Sequence, residues 1–539
     1  MTAIALLLAA AAVGFAVSKW LRVPVIPVLV LLGAGVAALD LADEDFLQNA
    51  VVLGLTFMVF VHGVDLNPTR VGDERGAAVR VGLLQFAVLG GLGFGAAWLL
   101  GFPPTSAVYM ALALSVSSTL VAIQVLKSRR QLFEPMGRLV LGVLLLQDLL
   151  VILLIPVVTR LPDGLGSVAT GLLATLGLVG LAGVVLRWVT PWVVEKLSDD
   201  EESLLMVVLA GLFLFLVLAA LVDLPLVAGG FLAGVALSAF PANGVVRGHL
   251  DSLADFFVAF FFTALGAFLL MPTPEELFRA LALVGVVLVA TPPVVVLIAR
   301  RMGFSSRPAL LGALLLSQTS EFSLIVALQG VAVGHLTQGD FTVIAMVTVV
   351  TMMLTPLLAT DAVTWRLLHI SPSRVREAPH LPEKDHVVLL GCGSHGMALL
   401  EQLVVAPRPV LVVDDDPGTV AWLQEGGIPV VRGDASDPQV VERAGIPHAR
   451  AVISTVGRVE DNGPVLERAG DVPVFVRAFD EADADWVRAR GGRPILFSEG
   501  TAAEFLAWFT GTGRYAPEEE EGVMDGSFRS HRNSPPTVL

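Results

Sequence analysis

The chain has 539 residues, 55% of them hydrophobic and only 15% charged, whereas soluble domains carry about 25% charge. That balance excludes an ordinary soluble protein, and a net charge of −15 gives no basis for a nucleic-acid partner. The single cysteine, Cys392, excludes an internal disulfide and any multi-cysteine metal site.

The apolar residues fall in long blocks. Residues 137–159, 203–222 and 280–299 are nearly free of charge, and ~20 such residues let a helix cross ~30 Å of hydrocarbon. Residues 2–18 read as a first transmembrane helix, because the early cations Lys19 and Arg22 follow the apolar run, the reverse of a signal peptide. Thirteen spans are predicted, near 2–19, 23–40, 48–64, 80–101, 105–123, 137–159, 165–186, 203–222, 224–240, 252–270, 278–299, 308–330 and 338–359. Fifteen cations between Lys19 and Arg307 then fall on one side and only Arg160 and Arg279 on the other. The positive-inside rule puts the N-terminus outside and the C-terminal region in the cytosol; the expected location is a bacterial-type inner membrane. The blocks stop near residue 360, before which there are 22 acids and 17 bases, and after which there are 27 and 17. The expected organisation is a multi-pass all-α membrane domain (1–362), a linker (363–384), a cytosolic α/β Rossmann-like domain (385–511) and a disordered tail (512–539).

A charge inside a bilayer marks a candidate functional site. Asp148 lies midway along the sixth span, in LGVLLLQDLLVILL, beside Gln147. No base in its own span neutralises it, so it is the candidate transport carboxylate. Glu321, in LLLSQTSEFSLIV, reads equally as a transport group or as the structural partner of an arginine such as Arg138. Asp65, beside Asn67 and Pro68, reads as a cap or turn residue. A partly desolvated carboxylate holds a proton in one state and a dehydrated cation in another. One site of this kind, facing each side in turn, suffices for obligatory exchange.

Hydroxyl clusters compete with a helix for its backbone hydrogen bonds. One such cluster is Ser115, Ser117, Ser118 and Thr119 in the fifth span, and another is Ser317, Gln318, Thr319 and Ser320 in the twelfth. Both are predicted to unwind. The segments are seven spans apart and so run in opposite directions, the signature of an inverted repeat with the site where the breaks cross. The ion- and proton-binding candidates are Asp148, Gln147, Ser117, Ser118, Thr119, Gln318 and Glu321, with no catalytic residue.

Beyond the membrane region, HVVLLG at 386–391 reads as a buried strand. It leads into Gly391-Cys392-Gly393-Ser394-His395-Gly396, a helical stretch, and a second strand ending at Asp414, 18 residues past the last glycine. Strand, glycines, helix, strand and acid in this order form a dinucleotide fingerprint. Gly391, Gly393, Ser394, His395 and Gly396 would receive the phosphates, and Asp414 and Asp415 the ribose. Cys392 is read as a small residue between two glycines.

Taken together, these elements resemble the monovalent cation:proton antiporter-2 family, the KefB/KefC-like antiporters. The matching elements are FVHGVDLNP, ALSVSSTLVAIQVL, LLLQDLL, AGGFLAGVALS, FFFTALGAFL and LLLSQTSEFSLIV; VVRGDASDPQVVERAGI at 430–446 resembles the TrkA-N domain, which implies a place on the adenine side of a nucleotide for Asp434 and Ala435. The resemblance implies a homodimer, a core with two crossed unwound helices, and the ion- and proton-binding role for Asp148. The Gln147–Asp148 pair is similar to the potassium-efflux branch. Where family members often carry a lysine, this chain has Thr291, which implies one-for-one electroneutral exchange and leaves Glu321 without its expected partner. Thr319 and Ser320 stand where glycines are usual.

The expectation is therefore a K+:H+ or Na+:H+ antiporter in a lipid bilayer, with AMP or NAD(H) as a regulator rather than a redox cofactor. A nucleotide-gated K+ channel is the alternative, and it predicts a carbonyl filter that the sequence lacks. A nicotinamide-dependent oxidoreductase needs a substrate pocket for which the short tail leaves little room.

Overall fold

The computed structural model describes residues 2–496 apart from 22–24, 38–43, 66–74, 133, 198–200, 239–243, 270, 305, 371–384 and 406–407. The chain forms two compact units, one built on Met1–Ala378 and the other on most of the remainder. The expected linker from 371 onward and everything after 496, including the expected tail, lie outside the described residues.

In the first unit every described element is helical. The chain runs through α1 (Thr2–Leu21), α2 (Val25–Ala37), α3 (Glu44–Asp65) and α4 (Arg75–Leu99). The next span is split into α5 (Pro104–Leu114) and α6 (Thr119–Ser128), followed by α7 (Pro135–Arg160). Then come α8 (Leu165–Val184), α9 (Thr190–Leu197), α10 (Glu201–Leu221), α11 (Leu226–Leu237), α12 (Gly244–Phe268) and α13 (Pro274–Arg301). A second split pair, α14 (Ser306–Leu315) and α15 (Glu321–Ala332), precedes α16 (Gln338–Leu358) and α17 (Asp361–Ile370).

Each predicted span coincides with a helix, and the two predicted breaks coincide with the two split pairs. In two places the helices outrun the sequence reading. A π-helical stretch, Val185–Val189, carries α8 into α9, and α17 occupies the first residues of the expected linker. Among the described residues, seven helical segments are long and apolar enough to cross a membrane, and six shorter apolar helices accompany them. Helices are the elements such blocks must form, because hydrocarbon offers backbone groups no partner outside the segment. Large apolar side chains such as Leu99, Leu165, Leu221 and Val289 point outward, a surface suited to lipid.

Inside the unit, α3 packs backbone to backbone on α11. A Cβ at Gly63 would stand 2.3 Å from the Phe231 carbonyl oxygen, and one at Gly234 would stand 2.1 Å from that of Phe60. Only glycine permits this approach, the small-residue packing of membrane helices. It fixes the height of the α3 residue beside Gly63, which is His62.

The tail comprises β1 (Val387–Leu390), α18 (Ser394–Val404), β2 (Val410–Asp414), α19 (Pro417–Glu425), β3 (Val430–Arg432), α20 (Pro438–Arg443), β4 (Ala451–Ser454), α21 (Gly463–Arg468), β5 (Val474–Ala478), α22 (Glu481–Arg488) and β6 (Arg493–Leu496). The strand order is β3-β2-β1-β4-β5-β6. Strand β1 lies parallel to both β2 and β4, and β5 is parallel to β4 and β6. Val388 faces Leu411 on one side and Val452 on the other. This is the doubly wound Rossmann-like order, whose direction reverses at β1, where such sheets bind ligands.

Candidate functional site

The two breaks meet each other. Ser115–Ser118 separate α5 from α6, and 316–320 separate α14 from α15. Ser117 Oγ donates to the Leu316 carbonyl at 2.8 Å, and Gln318 Nε2 donates to the Ser118 carbonyl at 3.2 Å. Freed backbone is tolerated at membrane depth because side chains take over its hydrogen bonds. The Ser117 amide donates to Gln147 Oε1 at 3.0 Å, and the Thr319 amide to Thr351 Oγ1 at 3.1 Å. Thr319 and Ser320 therefore do not prevent the second break, since α16 supplies hydroxyls for it. Thr319 Oγ1 donates to Thr348 at 3.1 Å, and Thr355 Oγ1 to the Ser317 carbonyl at 3.4 Å.

Two carboxylates sit at this crossing, each against the N-terminus of a half-helix. Asp148, on α7, is 2% exposed and accepts at Oδ2 from Thr119 Oγ1 at 3.0 Å, where α6 begins. Glu321, fully buried, opens α15 and accepts at Oε2 from Ser118 Oγ at 3.0 Å and Ser320 Oγ at 3.3 Å. A helix N-terminus carries about half a positive charge, which favours an acid there. Among the described residues, Asp148 Oδ1 and Gln318 Oε1 are buried oxygens that accept no hydrogen bond, and Glu321 Oε1 has only a 3.2 Å contact with His62 Nε2. Buried acceptors left unsatisfied cost about 1–3 kcal/mol each, so the cluster gains by receiving a proton or a dehydrated cation. Gln147 differs from its neighbours: its oxygen already holds the Ser117 amide, and its Nε2 is the buried atom without a partner.

The seven ion-site candidates thus fall into three hydrogen-bonded groups along the breaks: Thr119 with Asp148, Ser117 with Gln147, and Gln318 and Glu321 with Ser118. Arg138 is not part of them, lying ten residues from Asp148 on α7, about 15 Å along a helix. The partner of Glu321 is His62, whose Nε2 lies 3.2 Å from Oε1. Gln85, buried on α4, donates from Nε2 to Ser117 Oγ at 3.5 Å. Thr291, at the position where family members often carry a lysine, is buried on α13, and among the described residues its hydroxyl has no hydrogen-bond partner. Asp65 ends α3, and its side chain lies outside the described residues.

The glycine loop of the tail assigns its three glycines distinct tasks. Gly391 has φ +80°, a left-handed turn leaving β1. A Cβ on Gly396 would stand 2.2 Å from the Gly391 carbonyl oxygen, so α18 packs close. A Cβ on Gly393 would meet nothing within 4 Å, so its backbone faces open space at the start of α18. Turn, open approach and close packing are the tasks that pyrophosphate binding demands of this motif. Thr455 Oγ1 ties the loop to β4 by donating to the Gly391 carbonyl at 2.9 Å. Asp414 ends β2, and one of its oxygens accepts from the Cys392 amide. Burial, with the Asp414 charge adding to it, pushes the Cys392 thiol up to about 11. Exposed His395 is held below the usual histidine range, by partial burial first and the Arg477 charge second. The Ser394 side chain lies outside the described residues. Asp415 directly follows β2, and Asp434 and buried Ala435 follow β3.

Residues 4–360 match the family model for the transmembrane region of sodium/hydrogen exchangers, and residues 387–495 match that of the TrkA-N domain. The chain belongs to the sodium/hydrogen exchanger family. Among its relatives is YbaL of Escherichia coli, which bears a cation/proton antiporter name. The two are 24% identical over 486 residues, 85% of this exchanger and 87% of YbaL. The glutathione-regulated potassium-efflux system protein KefC of Shigella flexneri is 27% identical over 460 residues, 81% of the exchanger and 73% of KefC. Among solved structures, the TrkA-N domain of the Escherichia coli inner membrane protein ybaL covers 24% of the exchanger and 98% of that domain, at 22% identity and a TM-score of 0.23. The exchanger is thus a membrane-embedded cation/proton antiporter family member with a TrkA-N domain of Rossmann-like fold.

Three features of its site escaped the sequence reading. His62 stands in FVHGVDLNP, where Asp65 drew the attention, although an ionisable ring inside an apolar run carries the same signal as an acid. Gln85 is the one amide of its span. Thr348, Thr351 and Thr355 share a face of α16 by their spacing of three and four, a pattern legible as a stripe but not as a clamp on a distant break.

Proposed function

We propose that this exchanger moves a monovalent cation, K+ in preference to Na+, against protons by alternating access, with Asp148 holding the cation and the proton in turn. The observation that carries the reading is the crossing itself. A buried carboxylate with one unpartnered oxygen stands where two unwound segments meet, in a shell of serine, threonine and glutamine oxygens. Such oxygens replace the hydration shell of a monovalent ion, and a proton on Asp148 removes the charge that holds it. The Gln147–Asp148 pair and the potassium-efflux name of the KefC relative support K+. The cation distribution in the loops supports an orientation with the N-terminus outside and the tail in the cytosol, and the bacterial sources of YbaL and KefC support a bacterial inner membrane. The protein works as a homodimer, residues 1–362 forming the exchanger domain and 385–511 the regulatory one. AMP or NAD(H) on the glycine loop, with Asp414, Asp415, Asp434 and Ala435 completing its site, regulates exchange.

The test is reconstitution in liposomes loaded with a pH-sensitive dye, adding K+ and then Na+, with wild type beside Asp148→Asn. Proton movement in wild type, lost in the variant, is expected, with the lower half-saturation for K+. Cation flux without proton movement, or full activity in Asp148→Asn, overturns exchange through Asp148 and returns the channel reading to first place.

A further inference from the structure

Among the described residues the crossing holds one base, and the exchange reading gives it no task. His62 is half-buried on α3 beside Gly63, and its ring meets Phe322 of α15 edge-on, with centroids 6.0 Å apart. Its Nδ1 donates to the Met58 carbonyl, one turn back, at 2.8 Å. A carbonyl oxygen only accepts, so Nδ1 carries a hydrogen. On the other side of the ring, Nε2 lies 3.2 Å from Glu321 Oε1.

That contact constrains the charge. An imidazole lone pair facing a carboxylate oxygen at this distance, away from water, is repulsive unless a hydrogen lies between them. The hydrogen sits either on Nε2, giving imidazolium beside carboxylate, or on Oε1, giving neutral imidazole beside carboxylic acid. The pair has zero net charge in both arrangements. Asp148 has no equivalent: its protein donor is the neutral hydroxyl of Thr119, and Oδ1 has none.

The surroundings of His62 leave Glu321 as its partner. The charges it faces are Glu321 on α15 and Asp148 on α7. Helix α11, packed against α3, contains no ionisable residue, and on α12 the described acid, Asp255, is exposed.

We infer that His62 is a positioning residue that cancels the charge of Glu321 and holds it at the start of α15, leaving Asp148 as the one acid of the crossing whose charge a cation or proton must balance. This rests on the exchange reading above. It accounts for one-for-one exchange at a crossing that contains two acids. The His62–Glu321 pair keeps its single proton through the cycle, and the variable charge is that of Asp148 alone.

The charge account makes an opposite-sign prediction that structural damage does not. His62→Gln leaves Glu321 unbalanced, adds negative charge near Asp148, and should lower the K+ half-saturation at least about threefold while slowing turnover. Glu321→Gln removes negative charge and should raise the K+ half-saturation by at least about the same factor. The double variant restores zero net charge and should return the half-saturation toward the wild-type value, with turnover above that of either single variant. The experiment is the liposome assay with the full chain, titrating K+ for wild type, both single variants, the double variant and Asp148→Asn. Shifts in the same direction, no shift, or a double variant no nearer wild type than the singles overturn the role of His62. If His62→Gln does not fold, the double variant against Glu321→Gln decides by the same criterion. Should wild type itself fail to exchange, or Asp148→Asn remain active, the exchange reading falls and this inference with it. Exchange that depends on Asp148 but lacks the opposite shifts removes this inference alone.

Discussion

At the membrane crossing the Ser117 amide reaches Gln147 in another helix, Ser117 Oγ reaches Leu316, and Ser118 Oγ reaches Glu321, about two hundred positions away along the chain. In the glycine loop of the tail, Gly396 packs on Gly391 five residues earlier, and the Cys392 amide is held by Asp414 at the end of the next strand. Both places take backbone out of regular structure. The crossing exists only when distant helices assemble, whereas most of the loop is closed by its own strand–turn–helix–strand unit. Substitutions at the crossing should therefore act through partners on other helices, and those in the loop through immediate neighbours.

The largest effect expected from breaking this contrast, after loss of Asp148 itself, is at Gln147. Gln147→Leu keeps the volume but strands the Ser117 amide in a buried, unwound segment, at a cost of about 1–3 kcal/mol. The K+ half-saturation should rise by about tenfold, read in the liposome assay, although Gln147 spends its oxygen on backbone. An unchanged half-saturation would show that the first break is held without Gln147.

A smaller effect is expected at the second break, where α16 provides redundant hydroxyls. Thr351→Val removes the acceptor of the Thr319 amide, while Thr319 Oγ1 keeps Thr348. The protein in detergent should melt a few degrees lower, on the order of 1 kcal/mol, with K+ half-saturation little changed. A shift in half-saturation as large as that of Gln147→Leu would mean that the second break is ligand-facing rather than scaffold.

The same difference in range decides what the sequence discloses. The two breaks were legible because Ser115–Thr119 and Ser317–Ser320 are runs of hydroxyls in apolar spans, and the acids because Asp148 and Glu321 interrupt leucine. The loop was legible to the level of each glycine's task, since turn, approach and packing are fixed within a few residues. The pairings across the crossing were not. Nothing near Glu321 in sequence points to His62 as its partner. Spacing along one helix is read directly, whereas the matching of heights between α3 and α15 depends on contacts such as Gly63 on Gly234.

The smallest consequence for transport is expected at Cys392, where the loop's local closure makes a chemical prediction. Burial and Asp414 raise its thiol to about 11, and the thiolate is the nucleophile. At pH 8 about one thiol in a thousand is ionised, so iodoacetamide should label the folded protein at least about a hundredfold more slowly than the denatured chain. The sign follows from the raised value: labelling should accelerate about tenfold per pH unit on going from pH 8 to 10, and it should do so without any change in K+:H+ exchange measured at neutral pH. Rapid labelling of the folded protein at pH 7.5, followed by mass spectrometry, would show that the loop opens on its own. Its geometry would then depend on partners beyond the strand–turn–helix–strand unit, as the geometry of the crossing does.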